Sequence, residues 1–164
     1  MKTLSIAFLC SLLVACGFQL RGEARLPPDM SETWLQVPDD STAFVRELTL
    51  MLRANGVNLH NRPQEGAAHL RIYGERMRRE PLTISGAARV REFVLIFDVD
   101  FELLDADGEV LIARETLRQT RDYSFDEQEI LAATREEDFL RNDLRRSLAA
   151  QMLRRLEALS AGSG

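Results

Sequence analysis

The sequence predicts an α+β fold: a two-layer sandwich with one mostly antiparallel sheet of about four strands and two helices on one face. Three observations carry that expectation. Long segments at 68–80 and 91–105 alternate in side-chain character with the period of two that a half-buried strand requires, and 109–125 follows them across a turn. Two segments, 39–56 and the stretch after Thr134, repeat apolar residues with helical spacing instead. The order is strand, helix, three strands, helix, with no internal repeat, and a single sheet covered on one side is its simplest solution.

The elements follow in chain order. "MKTLSIAFLCSLLVA" (1–15) has one basic residue, Lys2, and then a mainly apolar run to Ala15, which is the pattern of a secretory signal. The run falls short of the ~20 apolar residues that a membrane-spanning helix needs. Leu13-Val14-Ala15-Cys16 resembles the lipobox of bacterial lipoproteins, where cleavage precedes the cysteine and its thiol takes a diacylglycerol. An ordinary signal followed by a chance cysteine is the other reading. Lipidation at Cys16 would anchor the chain stably, since two or more acyl chains hold where one binds reversibly. Gly17, rather than Asp, follows the cysteine, and by resemblance to enterobacterial sorting this directs the protein to the outer membrane, facing the periplasm. The expected division is a signal peptide at 1–15, a lipidated N-terminus and extended leash at 16–32, one α+β domain at 33–159 and a disordered tail at 160–164.

Pro27-Pro28 blocks a helix in the leash, and "TWLQVP" (33–38) reads as a short strand closed by proline. In 39–56 Asp40 or Ser41 is positioned to cap a helix whose Phe44, Leu48 and Leu52 share a face, and Asn55-Gly56 supplies the left-handed stop. "VNLH" resumes an extended path and "NRPQEG" turns it. In 68–80 Leu70 and Ile72 face one way, His69, Arg71 and Tyr73 the other. In 91–105 one face carries Phe93, Leu95, Phe97, Val99, Phe101 and Leu103; the other begins with Val94 and Ile96 and turns acidic at Asp98, Asp100 and Glu102. Asp105-Ala106-Asp107-Gly108 is a hairpin turn. Thr134-Arg135-Glu136-Glu137 fits a capping box, opening a last helix with Leu140, Leu144, Leu148, Met152 and Leu156 along one side.

Composition narrows the function. The chain has 21 basic and 26 acidic residues, a formal net charge of −5, and Lys2 is its sole lysine, so loss of the leader makes it more acidic still. That balance argues against a general nucleic-acid binder. Both cysteines, Cys10 and Cys16, precede the domain, so it holds no internal disulfide. His60 and His69 are the only histidines; they read as surface or strand-edge residues, with no nucleophile–base pair or clustered metal ligands around them. Asp98, Asp100 and Glu102 could imitate a general-acid pair but read better as a solvated strand face. The expectation is a protein that is not an enzyme, with no cofactor and no metal.

One stretch points to a ligand. In "GERMRREPLTISGAARVRE" (74–92) Arg76, Arg78, Arg79, Arg89 and Arg91 flank a bend between two strands, with Leu82 and Ile84 beside them. Guanidinium groups pair with phosphates in bidentate fashion, so such a tip suits an anionic glycolipid. Equally, the arginines could pair with Glu75, Glu80 and Glu92. On the leader and this loop alone, a periplasmic auxiliary lipoprotein of a phospholipid-transport system fits as well.

"CGFQLRG" (16–22) and "LRANGV" (52–57) decide between these functions. With the Pro-containing leash, the long strand pair opening near "REFVLIFDV" and the helix after an acidic turn, they resemble the LptE (RlpB) family of lipopolysaccharide-assembly lipoproteins. The resemblance implies a non-catalytic outer-membrane lipoprotein that plugs the LptD β-barrel, assists its assembly and binds lipopolysaccharide on its way to the outer leaflet. It also implies basic contacts at the strand tip and near the start of the last helix. The tip reads Ser85-Gly86-Ala87 here, which shifts those contacts to Arg89 and Arg91, with Arg78 and Arg79 nearby; Arg135 after "AAT" matches the second position.

Overall fold

The computed structural model describes residues 26–84, 90–126 and 128–161. Cys16, the leader and Arg89 lie outside them. The chain runs β1 (Glu32–Gln36), α1 (Ala43–Ala54), β2 (Asn58–His60), β3 (Ala68–Ile84), β4 (Val90–Leu104), β5 (Val110–Asp126) and α2 (Ile130–Ala161). Ahead of β1, Pro28–Met30 forms one 3₁₀ turn that delivers Met30 into the core.

The sheet has five strands in the order β2-β1-β3-β4-β5, one more than expected, and it is mixed. "VNLH", read only as an extended path, supplies the extra strand. Because α1 carries the chain back over the sheet, β2 lies parallel to β1, pairing Glu32 with Asn58 and Trp34 with His60. On its other side β1 is parallel to β3, while β3, β4 and β5 form the expected antiparallel meander. The acidic turn closes that meander as read. Gly108 takes φ +87°, and the Asp105 carboxylate accepts the backbone N–H groups of Asp107 and Glu109.

Both helices cover the face that carries Leu95, Phe97, Val99, Phe101 and Leu103, each at most 2% exposed. Phe44, Leu48 and Leu52 of α1 and Leu144, Leu148, Met152 and Leu156 of α2 complete this core, and Phe44 meets Phe97 edge-on at 5.6 Å. Its alternation was legible because a one-residue slip of register would turn every one of these side chains to water.

Two helix starts differ from expectation. Thr42, not Asp40 or Ser41, caps α1: its hydroxyl accepts the Val45 N–H at 3.2 Å. Asp39 instead closes its own turn on Ser41. Thr42 also donates to Glu75 of β3 at 2.5 Å, a tertiary partner that the local pattern does not contain. Thr134 caps nothing, since α2 begins one turn earlier at Ile130; its hydroxyl bonds back to the Ile130 carbonyl, and Glu137 is taken up by the sheet.

The uncovered face is polar and internally paired, which corrects the solvated reading of its acids. Asp98 is only 4% exposed and accepts a bidentate contact from Arg118 at 2.6 and 3.2 Å and one from Arg78 at 3.1 Å. Asp100 accepts from Thr116 and lies near Arg114, and Glu102 holds Arg71 at 2.9 Å. His69 stacks on Trp34 at 3.8 Å, and His60 lies 2.6 Å from Glu32, so both histidines have structural partners.

Candidate functional site

Beyond Leu95 the aliphatic core gives way to rings and charges. On the helix side of the far strand ends, Phe93 lies beside Tyr123 at 5.8 Å and meets Phe125 at 6.0 Å, and the Arg79 guanidinium rests 4.7 Å from the Phe93 ring centre. The first turns of α2 dock here through one carboxylate. Glu137 accepts from the Tyr123 hydroxyl at 2.5 Å, from Arg79 at 3.1 Å and from Arg141 at 2.6 and 2.9 Å, joining β3, β5 and α2. Burial pushes the Glu137 carboxyl up, but Tyr123, Arg141 and Arg79 outweigh it and hold the group below the usual carboxylate range. Burial and the same carboxylate raise the Tyr123 phenol. Further along the β5–α2 seam, Arg121 meets Asp143 and Ser147, Gln119 meets Gln151, and Arg155 meets Glu115.

The sequence-predicted arginines distribute over this end of the molecule. Arg78 and Arg79 are neighbours on a strand and therefore point to opposite faces. Arg78 serves Asp98 on the open face, with Glu80 at 3.4 Å from its Nε, and Arg79 serves Glu137 beneath α2. Arg91 is paired in backbone register with Ile84 and Phe125, at the far end of the sheet. Arg135 is exposed on α2 and makes no ion pair among the described residues. Among the described residues there is no cluster of three or more side chains of the kinds that hold a metal ion.

The sequence model of a family described as "LptE: Lipopolysaccharide-assembly" matches residues 30–156. The chain belongs to the LptE family. Among its relatives is the "LPS-assembly lipoprotein LptE" of Yersinia enterocolitica, 26% identical over 163 residues and matched across 98% of this chain and 76% of the relative. Among solved structures, lipoprotein B from Nitrosomonas europaea superposes with a TM-score of 0.73 at 27% identity, covering 88% of this chain and 93% of that one. A minor lipoprotein from Acinetobacter baumannii gives 0.65, also at 27%, covering 79% and 92%.

For this LptE-family chain, sequence reading missed Tyr123 and the true role of Glu137. The i,i+4 spacing of Glu137 and Arg141 was a usable signal. The partners on β3 and β5 were not, because nothing local says which strand face α2 will cover.

Proposed function

We propose that this protein is an outer-membrane lipoprotein that plugs an LptD-like β-barrel, assists its assembly and binds lipopolysaccharide during delivery to the outer leaflet, without catalysing a reaction. The leader 1–15 is removed, Cys16 carries the lipid, and the residues after it act as a leash. That leash ends sooner than residue 32, because Met30 is already in the core and β1 starts at Glu32. The working domain, on the periplasmic side and in the barrel lumen, runs to Ala161, since α2 takes in Ser160 and Ala161 rather than leaving them to a tail. The single observation that carries this reading is the family match across residues 30–156.

Physical features support it. A barrel lumen is polar. A domain that fills one is served by a face whose charges are already neutralised in place, as Arg118 and Arg78 neutralise Asp98, because such a surface loses little on leaving bulk water. No helix of the described residues is long and apolar enough to cross a membrane, which suits a body held by its lipid. Arg89, Arg91 and Arg135 are the proposed phosphate contacts; Arg78 and Arg79 would join them by exchanging a carboxylate for a phosphate.

Extraction of outer membranes with mild detergent, followed by capture of this protein, should yield one large β-barrel in constant proportion. Recovery of the lipoprotein alone overturns the plug. For the ligand, Arg89→Glu combined with Arg91→Glu should weaken binding of purified lipopolysaccharide and flatten its salt dependence while the circular dichroism spectrum stays unchanged. Unaltered binding removes the strand tip from the reading.

A further inference from the structure

We propose that the open edge of β1 beside α1 takes up an extended segment of a partner polypeptide as an added strand, apolar where it meets α1 and acidic where it passes Arg53. The inference does not depend on lipopolysaccharide binding, and it concerns the other end of the sheet from the arginine-bearing strand tip.

Backbone parity identifies the edge. In a parallel ladder, alternate residues of a strand turn their N–H and C=O groups to the same neighbour. The Ser31 carbonyl accepts from the Asn58 N–H at 2.8 Å, so Thr33, Leu35 and Val37 share its side, towards β2. β2 is only three residues long, and its pairing with β1 ends at Trp34 and His60. β1 continues to Gln36, still paired with Arg71 of β3, and Pro38 biases Val37 to an extended backbone. The Leu35 C=O and the Val37 N–H and C=O therefore lie past the end of β2, with no backbone partner on that side among the described residues.

The space beside these groups has room for side chains. α1 lines it with Val45, Arg46, Thr49, Leu50 and Arg53, which with β1 and Leu59 bound a cleft of about 850 Å³. Leu50 is 64% exposed there. Arg46 is already engaged, donating to the Ser41 carbonyl, whereas Arg53 makes no ion pair among the described residues. Asp39 and Asp40 precede the start of α1 and Arg53 lies in its last turn, so the cleft is acidic at one end and basic at the other. These features select the occupant. An acyl chain would cover the Leu35 and Val37 backbone groups without giving them hydrogen bonds. A small anion would reach Arg53 and leave Leu50 and the strand edge in water. An added strand supplies N–H and C=O groups at the spacing of the edge, sends alternate side chains towards α1 and brings a carboxylate to Arg53. Pro38 has no N–H to offer, so pairing stops after Val37 and the edge admits one short segment rather than growing without limit.

The test uses the lipidated full chain in phospholipid nanodiscs. The probes are N-acetylated octapeptides of alternating Val and Thr in which a single Asp is moved from one end to the other. At about 1 mM peptide, at least one should bind and slow hydrogen exchange of the Val37 N–H by about tenfold or more. Affinity should be highest with Asp near one terminus and lowest with it near the other. The best peptide is then N-methylated at its odd or at its even residues: one version should lose about tenfold in affinity and the other should bind as before, because only one edge of the added strand meets β1. Arg53→Glu, with an unchanged circular dichroism spectrum, should prefer Lys to Asp at the selected position. The proposal is overturned if no peptide binds at about 1 mM, if both N-methylated versions behave alike, or if Arg53→Glu keeps the preference for Asp. Protection of Val37 that needs no peptide and disappears on dilution would make the occupant a second copy of the chain; protection that persists at every dilution would make it this chain's own residues 17–25. Either result also overturns the proposal.

Discussion

Asp98 lies on the uncovered side of the sheet and is still almost inaccessible, because its neighbours across the ladder are arginines whose stems close over it. Its two partners are partly exposed, Arg118 at 58% and Arg78 at 34% of the side chain, whereas the carboxylate is at 5%. The pair is therefore asymmetric. Asp98→Asn leaves two guanidinium groups that water can reach, at a cost of about 1 kcal/mol. Arg78→Met with Arg118→Met keeps the stems but leaves the buried carboxylate to Arg76 alone, which holds no bond to it in the native ladder. That should cost about 3 kcal/mol. Urea unfolding of the two variants measures the difference; equal costs would show that the carboxylate is hydrated after all.

At the scale of elements, α1 shows what one sequence discloses and what it withholds. Its apolar face and its stop were legible: Phe44, Leu48 and Leu52 are fully buried, and Gly56 takes φ +83° to let the Val57 N–H reach the Leu52 carbonyl at 3.1 Å. Its start was not, since Asp40, Ser41 and Thr42 are all competent caps and a side chain on a distant strand decides among them. Glu75 holds the Thr42 hydroxyl in place, and its own burial raises its carboxyl above the ordinary range despite that bond. Thr42→Ala should then destabilise the protein by about 1–2 kcal/mol, while Ser41→Ala, which removes a hydroxyl bonded only to Asp39 and keeps the carbonyl that accepts from Arg46, should stay within about 0.5 kcal/mol. Thermal melts of both variants test the assignment, and a larger loss at Ser41 would return the cap to the residue the local pattern favoured. The candidate site divides in the same way: the arginine types were visible, but not that Arg78 and Arg79 would be drawn to opposite faces by Asp98 and Glu137, one on a neighbouring strand and one on the last helix.

Across the whole molecule, stability is unevenly distributed. Leu144 to Leu156 of α2 sit in a continuous aliphatic core, whereas the turns from Ile130 to Leu140 are tied to the far strand ends mainly by Glu137 and the aromatic residues around it. Ala133 is the only buried apolar residue among those first turns. A segment held by one carboxylate should open by itself before the rest. The folded-state pKa of Glu137 is depressed, so its contribution is fully present above the ordinary value of 4.5 and is lost as the pH falls through the lower folded value. Acidification below 4.5 should therefore release 130–140 while 144–156 stays protected. Hydrogen exchange, corrected for its intrinsic dependence on pH, reads this directly. In the wild type, protection of 130–140 should drop at least tenfold more than that of 144–156. Glu137→Gln, which imitates the protonated carboxyl, should show the weakened protection already at pH 7 and change little on acidification. Uniform loss of protection along α2 would mean that the helix docks as one unit and that Glu137 is not what holds its first turns.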